Sequence, residues 1–227
     1  MNLYLTQNPS ERVAIVLFSG GLDSTVALWW ALKKNFYVIP LMIDTGSRVK
    51  SEKEHAMMIL STAGIKNFIN VNLDFVKDLF DLSLNGIIPY NLNAIKSPAY
   101  IPAKNLIFYS IAVYYAEIYN AKYIIGGHNA DDSDFFPDAT PEFFRFLNKI
   151  IDIGTFAKGK IKIVQPLIRL SKADIVKLGA KLGAPLDMTW SCQKNDDVQC
   201  GVCGSCELRR KAFKDANIPD LTEYKIY

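Results

Sequence analysis

The 227 residues carry 26 Lys+Arg against 23 Asp+Glu, a net charge of +3, with 50% hydrophobic and 22% charged residues. That make-up excludes a disordered chain and fits one globular domain, or one with an appendage, large enough to bury a sizeable core. The charge is too small to argue for nucleic-acid binding, and no apolar run approaches the roughly 20 residues that span a bilayer.

Short apolar runs alternate with amphipathic stretches, the pattern of βαβ units on a parallel sheet. Arg12 to Phe18 is predicted as a buried strand and Ser24 to Lys34 as the helix after it. Tyr37 to Ile43 is a second strand, whose Pro40 favours an edge or an irregular spot. A helix is expected over Lys50 to Ala63 and a short strand over Phe68 to Val71. Residues 83–101, rich in Asn, Ser and Pro, read as a long loop of the kind that closes over sites. Pro102 precedes a strong helix from Ala103 to Asn120, and Lys122 to Ile125 is a strand ending in Gly126-Gly127. Pro141 to Ile150 is helical, Lys160 to Val164 a strand, and Ser171 to Leu182 a helix opened by a Ser-x-x-Asp cap. The expected division is an α/β body over 1–188 and a C-terminal segment over 189–227. Residues 1–11 carry no signal-peptide pattern, so the expected compartment is cytoplasmic.

Phe18-Ser-Gly-Gly-Leu-Asp-Ser-Thr25 falls where the first strand gives way to the first helix. Its glycines let backbone approach a ligand, and the helix N–H groups behind them favour an anion. Ser19, Ser24 and Thr25 add hydroxyls, while Asp23 could orient the loop or approach a metal. The loop lacks the lysine of G-x-x-x-x-G-K-[ST] and the spacing of G-x-G-x-x-G, which disfavours Walker and dinucleotide sites. The end of the second strand, around Asp44, should lie beside it; Asp44 could serve the site or cap a helix.

All four cysteines, Cys192, Cys200, Cys203 and Cys206, stand in one C-x7-C-x2-C-x2-C segment. In a reducing compartment such crowding points to a metal before disulfides. Four thiolates without a nearby His fit a closed structural zinc site; an iron–sulfur cluster is the competitor, but no extra Pro or Cys completes a ferredoxin run. Gly201 and Gly204 follow two of the ligands and would let the knuckle turn.

Lys104 sits at a helix N-terminus, where a cation opposes the dipole by about 0.3–1 kcal/mol. That placement suits a lysine meeting a carboxylate or phosphate, with Asn105 as its neighbour in the site. The carboxylates of Gly126-Gly-His-Asn-Ala-Asp-Asp-Ser-Asp134 could bind Mg²⁺, contact a base, or simply solvate a loop. His128 is open between site and scaffold, His55 is structural or solvent-facing, and Trp190 and Tyr100 stack on a base or fill the core.

The Ser-Gly-Gly-x-Asp-Ser loop resembles the PP-loop of ATP pyrophosphatases, which split ATP between its α and β phosphates. Tyr100-Ile-Pro-Ala-Lys-Asn105, Pro137-Asp-Ala-Thr-Pro-Glu-Phe143, Pro166-Leu, Ser171-Lys172, Asp174-Ile-Val and Thr189-Trp-Ser-Cys192 followed by Cys200-Gly-Val-Cys-Gly-Ser-Cys206 and Arg209 narrow it. Together, from about residue 12 to Tyr224, they resemble the QueC family, the 7-cyano-7-deazaguanine synthases. The resemblance implies a doubly wound, adenine nucleotide α-hydrolase-like parallel sheet with a small zinc-binding C-terminal appendage, in a homodimer. It implies an ATP loop of Phe18, Ser19, Gly20, Gly21, Leu22, Asp23, Ser24, Thr25, Val26, Ala27 and Leu28, and structural zinc on the four cysteines. Asp23 and Lys104 become the catalytic candidates, and Asn105, Asp132 and Asp138 the substrate contacts.

The implied reaction joins 7-carboxy-7-deazaguanine, ammonia and ATP with Mg²⁺. The acid oxygen is adenylated, ammonia displaces AMP to leave the amide, and a second activation of the amide oxygen yields the nitrile. The product would feed queuosine or archaeosine biosynthesis. This chain departs from the usual Asp-Tyr-Gly-Gln-Arg with Asp44-Thr-Gly-Ser-Arg48, and its acidic segment ends in Asp138-Ala139 rather than Asp-Cys or Asp-Asn. Related readings are a PP-loop ligase using another amine or stopping at the amide, a tRNA-modifying thiolase, and a non-catalytic zinc knuckle. The thiolase would need a basic face and a free cysteine, which +3 and four committed cysteines do not offer.

Overall fold

The computed structural model describes residues 12–46, 49–76, 101–194 and 197–225. Tyr100 and the loop expected over 83–101, apart from Ile101, lie outside them. Strands β1 (Val13–Leu17), β2 (Tyr37–Asp44), β3 (Ile69–Asn72), β4 (Tyr123–Ile125) and β5 (Lys162–Val164) are apolar, short and parallel. Their order is β3-β2-β1-β4-β5, so the chain winds one way from β1 to β3 and then returns to the other side of β1 for β4.

The helices are α1 (Leu22–Lys33), α2 (Lys50–Thr62), α3 (Lys104–Ile118), the single turn α4 (Asp132–Phe135), α5 (Pro141–Gly154), α6 (Lys172–Leu182) and α7 (Gly204–Ala216). Alternation along β1 sends Ala14 and Val16 to one face and Val13 and Ile15 to the other. The first face packs on α1, α2, α6 and α7, and the second on α3 and α5. Helices on both faces are the doubly wound architecture expected of a fully buried parallel sheet. Each fully buried chain such as Ile15, Leu28 or Ile124 contributes about 1.5–3 kcal/mol over exposure.

Pro40 is not on an edge strand, because β2 lies between β3 and β1. The backbone explains the tolerance. Tyr37 N–H donates to the Arg12 carbonyl and the Leu41 carbonyl accepts from Phe18, so odd-numbered residues of β2 bond towards β1. Pro40 therefore turns its missing N–H towards β3, whose pairing begins only at Leu41 opposite Ile69. No ladder bond is lost.

Helix α1 starts at Leu22, earlier than Ser24, because Gly21 takes the extended N-cap geometry (φ −74°, ψ 165°). Ala103 and Asn120, both left-handed (φ 51° and 49°), trim α3 at its two ends. Ser171 caps α6 as expected, its Oγ accepting the Asp174 N–H at 3.2 Å. Thr140 does the same for α5, accepting from Phe143 at 3.1 Å, and α5 continues past Ile150 to Gly154. The C-terminal helix is anchored to the body, since Ala212, Phe213 and Ala216 of α7 join the core shared by α1, α2 and α6. Among the described residues no helix is long and apolar enough to cross a membrane.

Candidate active site

The winding reverses between β1 and β4, and the loops leaving their carboxyl ends part there to form a crevice. A cleft of about 290 Å³ opens at this point. Phe18, Ser19, Asp23 and Ser24 line it from the β1 loop, Lys104 and Asn105 from the start of α3, and His128, Asp132 and Phe136 from the β4 loop. Leu41, Ile43 and Phe108 give it an apolar wall. Residues 86 positions apart in sequence, such as Phe18 and Lys104, thus meet at one place.

The glycine loop is held by short-range bonds. Ser19 Oγ accepts the Gly21 N–H at 3.2 Å, Ser24 Oγ accepts the Ser19 N–H at 3.2 Å, and Ser24 donates to the Gly21 carbonyl at 3.1 Å. Gly20 has φ +85°, and a Cβ there would stand 2.7 Å from the Ala56 Cβ of α2. Helix α1 has no side-chain cap, so its first-turn N–H groups remain for an anion. Behind the loop a second cleft of about 220 Å³ is lined by Ser19, Gly21, Leu22, Lys172, Ser191 and Ser205 among others. Thr25, Val26, Ala27 and Leu28 are fully buried in α1, so their side chains serve the core.

Gly126-Gly127 brings the β4 loop close. A Cβ on Gly127 would lie 2.9 Å from the Asp23 backbone, and one on Gly126 would collide with the Tyr109 hydroxyl. That approach lets Asn129, 1% exposed, donate its Nδ2 to Asp23 Oδ2 at 3.0 Å. The Asn129 Oδ1 accepts the N–H groups of Asp131 (2.9 Å) and Asp132 (3.1 Å). Asp132 Oδ2 accepts the Asn129 N–H at 3.1 Å and faces His128 Nδ1 at 3.7 Å. Burial alone would raise the Asp132 pKa, but His128, the Asn129 N–H and the Lys172 charge together hold it below the usual carboxylate value.

Lys172 is the residue that sequence reasoning placed in a motif but gave no role. Its Nζ pairs with Asp23 Oδ2. Burial alone would lower the lysine pKa, yet Asp23, with Asp132 and Asp131, raises it. The signal exists in the sequence: Lys172 is the first residue of α6, the same unfavourable dipole position that drew attention to Lys104. The other Asp23 oxygen, Oδ1, is buried without a hydrogen-bond partner, which suits a cation.

Lys104 lies 5.8 Å above the Phe136 ring, and among the described residues it pairs with no carboxylate. Asn105 is buried, and its N–H donates to Asp138 Oδ2 at 2.8 Å, so Asp138 closes the amino end of α3 from outside the cleft lining. Asp44 is buried and anchors a turn: Oδ1 accepts the Gly46 N–H at 2.9 Å and Oδ2 pairs with Lys53 at 2.5 Å. It does not cap α2, whose N-cap is Val49. His55 bonds the Met188 carbonyl at 2.7 Å, and Trp190 is buried beside it with its indole on the Cys192 carbonyl.

The four cysteines are buried, and their sulfurs all lie within 4.8 Å of one another, with Cys200 and Cys206 at 4.0 Å. Disulfide sulfurs would stand at about 2.05 Å. A tetrahedron with metal–sulfur bonds of about 2.3 Å has edges near 3.8 Å, so the four could hold one metal ion. The N–H groups of Lys194 and Cys200 point at Cys192 Sγ (3.4 Å each), and that of Cys203 at Cys200 Sγ (3.2 Å). Gly201 supplies the knuckle's left-handed turn (φ +73°), whereas Gly204 opens α7 with ordinary helical backbone.

The family model described as "Queuosine biosynthesis protein QueC" matches residues 13–217. A 7-cyano-7-deazaguanine synthase of Acetivibrio thermocellus is 42% identical over 94% of this chain and 98% of its own length. One of Thermoplasma volcanium is 39% identical over 95% of this chain and 92% of its own. Among solved structures, a 4-thiouridine synthetase in complex with RNA and ATP superposes with TM-score 0.52 at 19% identity, over 91% of this chain and 50% of that one. The NMN synthetase of Francisella tularensis gives 0.50 at 18%, over 93% of this chain and 74% of that one. These two share the fold. A family match over most of the length, on top of a glycine loop and a four-cysteine knuckle in the expected places, means that the chain belongs to the QueC family.

Proposed function

We propose that this chain makes 7-cyano-7-deazaguanine from 7-carboxy-7-deazaguanine, ammonia and ATP, for queuosine or archaeosine biosynthesis. The observation that carries the reading is near-full-length similarity to enzymes of that name, together with a cleft in which the glycine loop faces Lys104. A carboxylate is a poor electrophile. Its oxygen attacks the α-phosphorus of ATP, pyrophosphate leaves, and the acid becomes an acyl adenylate. Ammonia adds to that carbon, loses a proton and expels AMP, giving the amide. The amide oxygen is adenylated in turn, and loss of AMP with the two nitrogen protons gives the nitrile.

In this reading residues 18–25 bind the phosphates through the N–H groups of α1 and the Ser19 and Ser24 hydroxyls. Lys104, which no described carboxylate neutralises, would meet the acid carboxylate and then the α-phosphate. Asn105 and Asp132 would contact the deazapurine from the cleft wall, and Asp138 would act through the Asn105 backbone. Mg²⁺ held near Asp23 would neutralise charge on the departing pyrophosphate. The cysteines would hold zinc as a structural ion that ties 189–227 to the body over 1–188, leaving no position open for chemistry. All four cysteines of the chain sit in that cluster, which argues against sulfur delivery to tRNA.

The homodimer and a cytoplasmic location belong to the same reading. Phe146, Ile150 and Ile153 line one side of α5, and Ile153 and Phe156 are 87% and 98% exposed, a surface suited to a second copy. The test is mass spectrometry of the product from the acid, ATP and ammonia. The nitrile with two AMP released per product supports the proposal; an amide that never advances, or no AMP, refutes it.

A further inference from the structure

Arg209 is a fully buried arginine, 1% exposed, on the inner side of α7. Its Nε donates to Asp220 at 3.2 Å, its Nη2 to the Leu186 carbonyl at 2.7 Å, and its Nη1 to both the carbonyl and the hydroxyl of Thr189. Asp220 is itself held by the Tyr224 hydroxyl at 2.6 Å and the Thr222 N–H at 3.2 Å. Burying a guanidinium is costly, and an apolar side chain of similar size would fill the space. What arginine adds is direction, because its planar fork fixes the 186–189 segment at several oxygens at once.

That segment leads to the glycine loop. Trp190, next after Thr189, donates its N–H to the Gly20 carbonyl at 3.2 Å. Gln199 braces the same stretch, donating to the Thr189 carbonyl at 3.1 Å and accepting the Ser191 N–H at 3.0 Å. On its other side Gly20 is pressed against Ala56, leaving no room even for a Cβ. Gly20 is therefore clamped between α2 and Trp190, and Trp190 sits where Arg209 places its neighbour.

We infer that Arg209, which also borders the second cleft, is a positioning residue for the ATP loop, setting the Gly20 peptide through Thr189 and Trp190. The inference rests on the proposed role of residues 18–25 in phosphate binding. A scaffold role alone would lower the melting temperature and leave ligand affinities in the folded protein unchanged. The experiment is calorimetric titration of ATP and, separately, of 7-carboxy-7-deazaguanine into the wild type, Arg209→Met and Thr189→Val, with the metal content of each measured. Arg209→Met is expected to weaken ATP at least tenfold and Thr189→Val about threefold, with the acid's affinity and the metal content unchanged. If Arg209→Met does not fold, Thr189→Val decides. ATP affinity within twofold of wild type in the folded variants overturns the inference alone. A wild type that binds the acid but no ATP overturns the phosphate-loop reading and this inference with it.

Discussion

Lys172, the first residue of α6, places its ammonium against the Asp23 carboxylate of the glycine loop, and Asp23 lines both clefts. The pair joins the two ends of the fold at the point where β1 and β4 part. Lys172 is only 30% exposed and Asp23 18%, so water screens them weakly.

The first prediction concerns this pair under alkali. The folded pKa of Lys172 is raised above the ordinary 10.5. Its stabilisation is therefore fully present below the unfolded value and is lost as pH rises through the higher folded one. Lys172→Met should lower stability at pH 8 by about 1–3 kcal/mol, since Asp23 is left partly buried without its counter-charge, held only by Asn129. It should also flatten the stability profile above pH 10.5. Denaturant melts across that range check it; an unchanged alkaline slope would count against the pair.

Asp132 behaves in the opposite sense. Its folded pKa lies below the ordinary 3.8, so its contribution is present above that value and is lost as pH falls through the depressed one. Asp132→Asn should make stability less dependent on pH below about 4, and His128→Asn should erode the same window by removing the 3.7 Å partner. Acid melts followed by circular dichroism measure both.

Much of this site is legible in the sequence because it is local. The strand–Gly–Gly–helix junction at 18–25 and the cysteine spacing over 192–206 are local patterns, and both stand where expected. The apolar runs mark β1 and β2 as strands, but not that β2 has a neighbour on both sides, so the place of Pro40 follows only from the register. Asp138 shows the same limit. A carboxylate near a site reads as a ligand contact, yet only the packing of 137–139 on α3 reveals that it accepts the Asn105 N–H. The Asp23–Lys172 pair spans both halves of the sheet, and no periodicity carries such a contact.

Glycine at position 20 is required twice, by φ +85° and by Ala56. Gly20→Ala should cost about 1–2 kcal/mol for the left-handed backbone and a further ~1–3 kcal/mol for overpacking. ATP binding should weaken more than tenfold, because the clash pushes the loop off Trp190. Gly204→Ala is the matched control: nothing lies within 4 Å of its Cβ and its backbone is helical, so stability should hold or rise by about 0.4–1 kcal/mol. Thermal melts with ATP titration compare the two, and equal losses would defeat the argument.

Removing the metal should damage the knuckle first and the loop next. Without an ion, nothing holds four buried sulfurs within 4.8 Å in the geometry that thiolates on a metal enforce. Metal analysis of purified protein should give about one zinc per chain; a brown protein containing iron would refute the zinc assignment. Cys206→Ser should lower the melting temperature by about 10 °C or more, on the scale of several kcal/mol at about 2–4 °C each. Trp190 packs directly on the cysteine cluster, unlike Trp29 and Trp30 of α1. Chelation should therefore shift tryptophan emission to the red as Trp190 meets water. Because Trp190 also carries the bond to Gly20, ATP affinity should fall in the same titration that shifts the emission. An emission change with ATP binding intact would separate the knuckle from the loop and restrict the cysteines to holding the C-terminal segment.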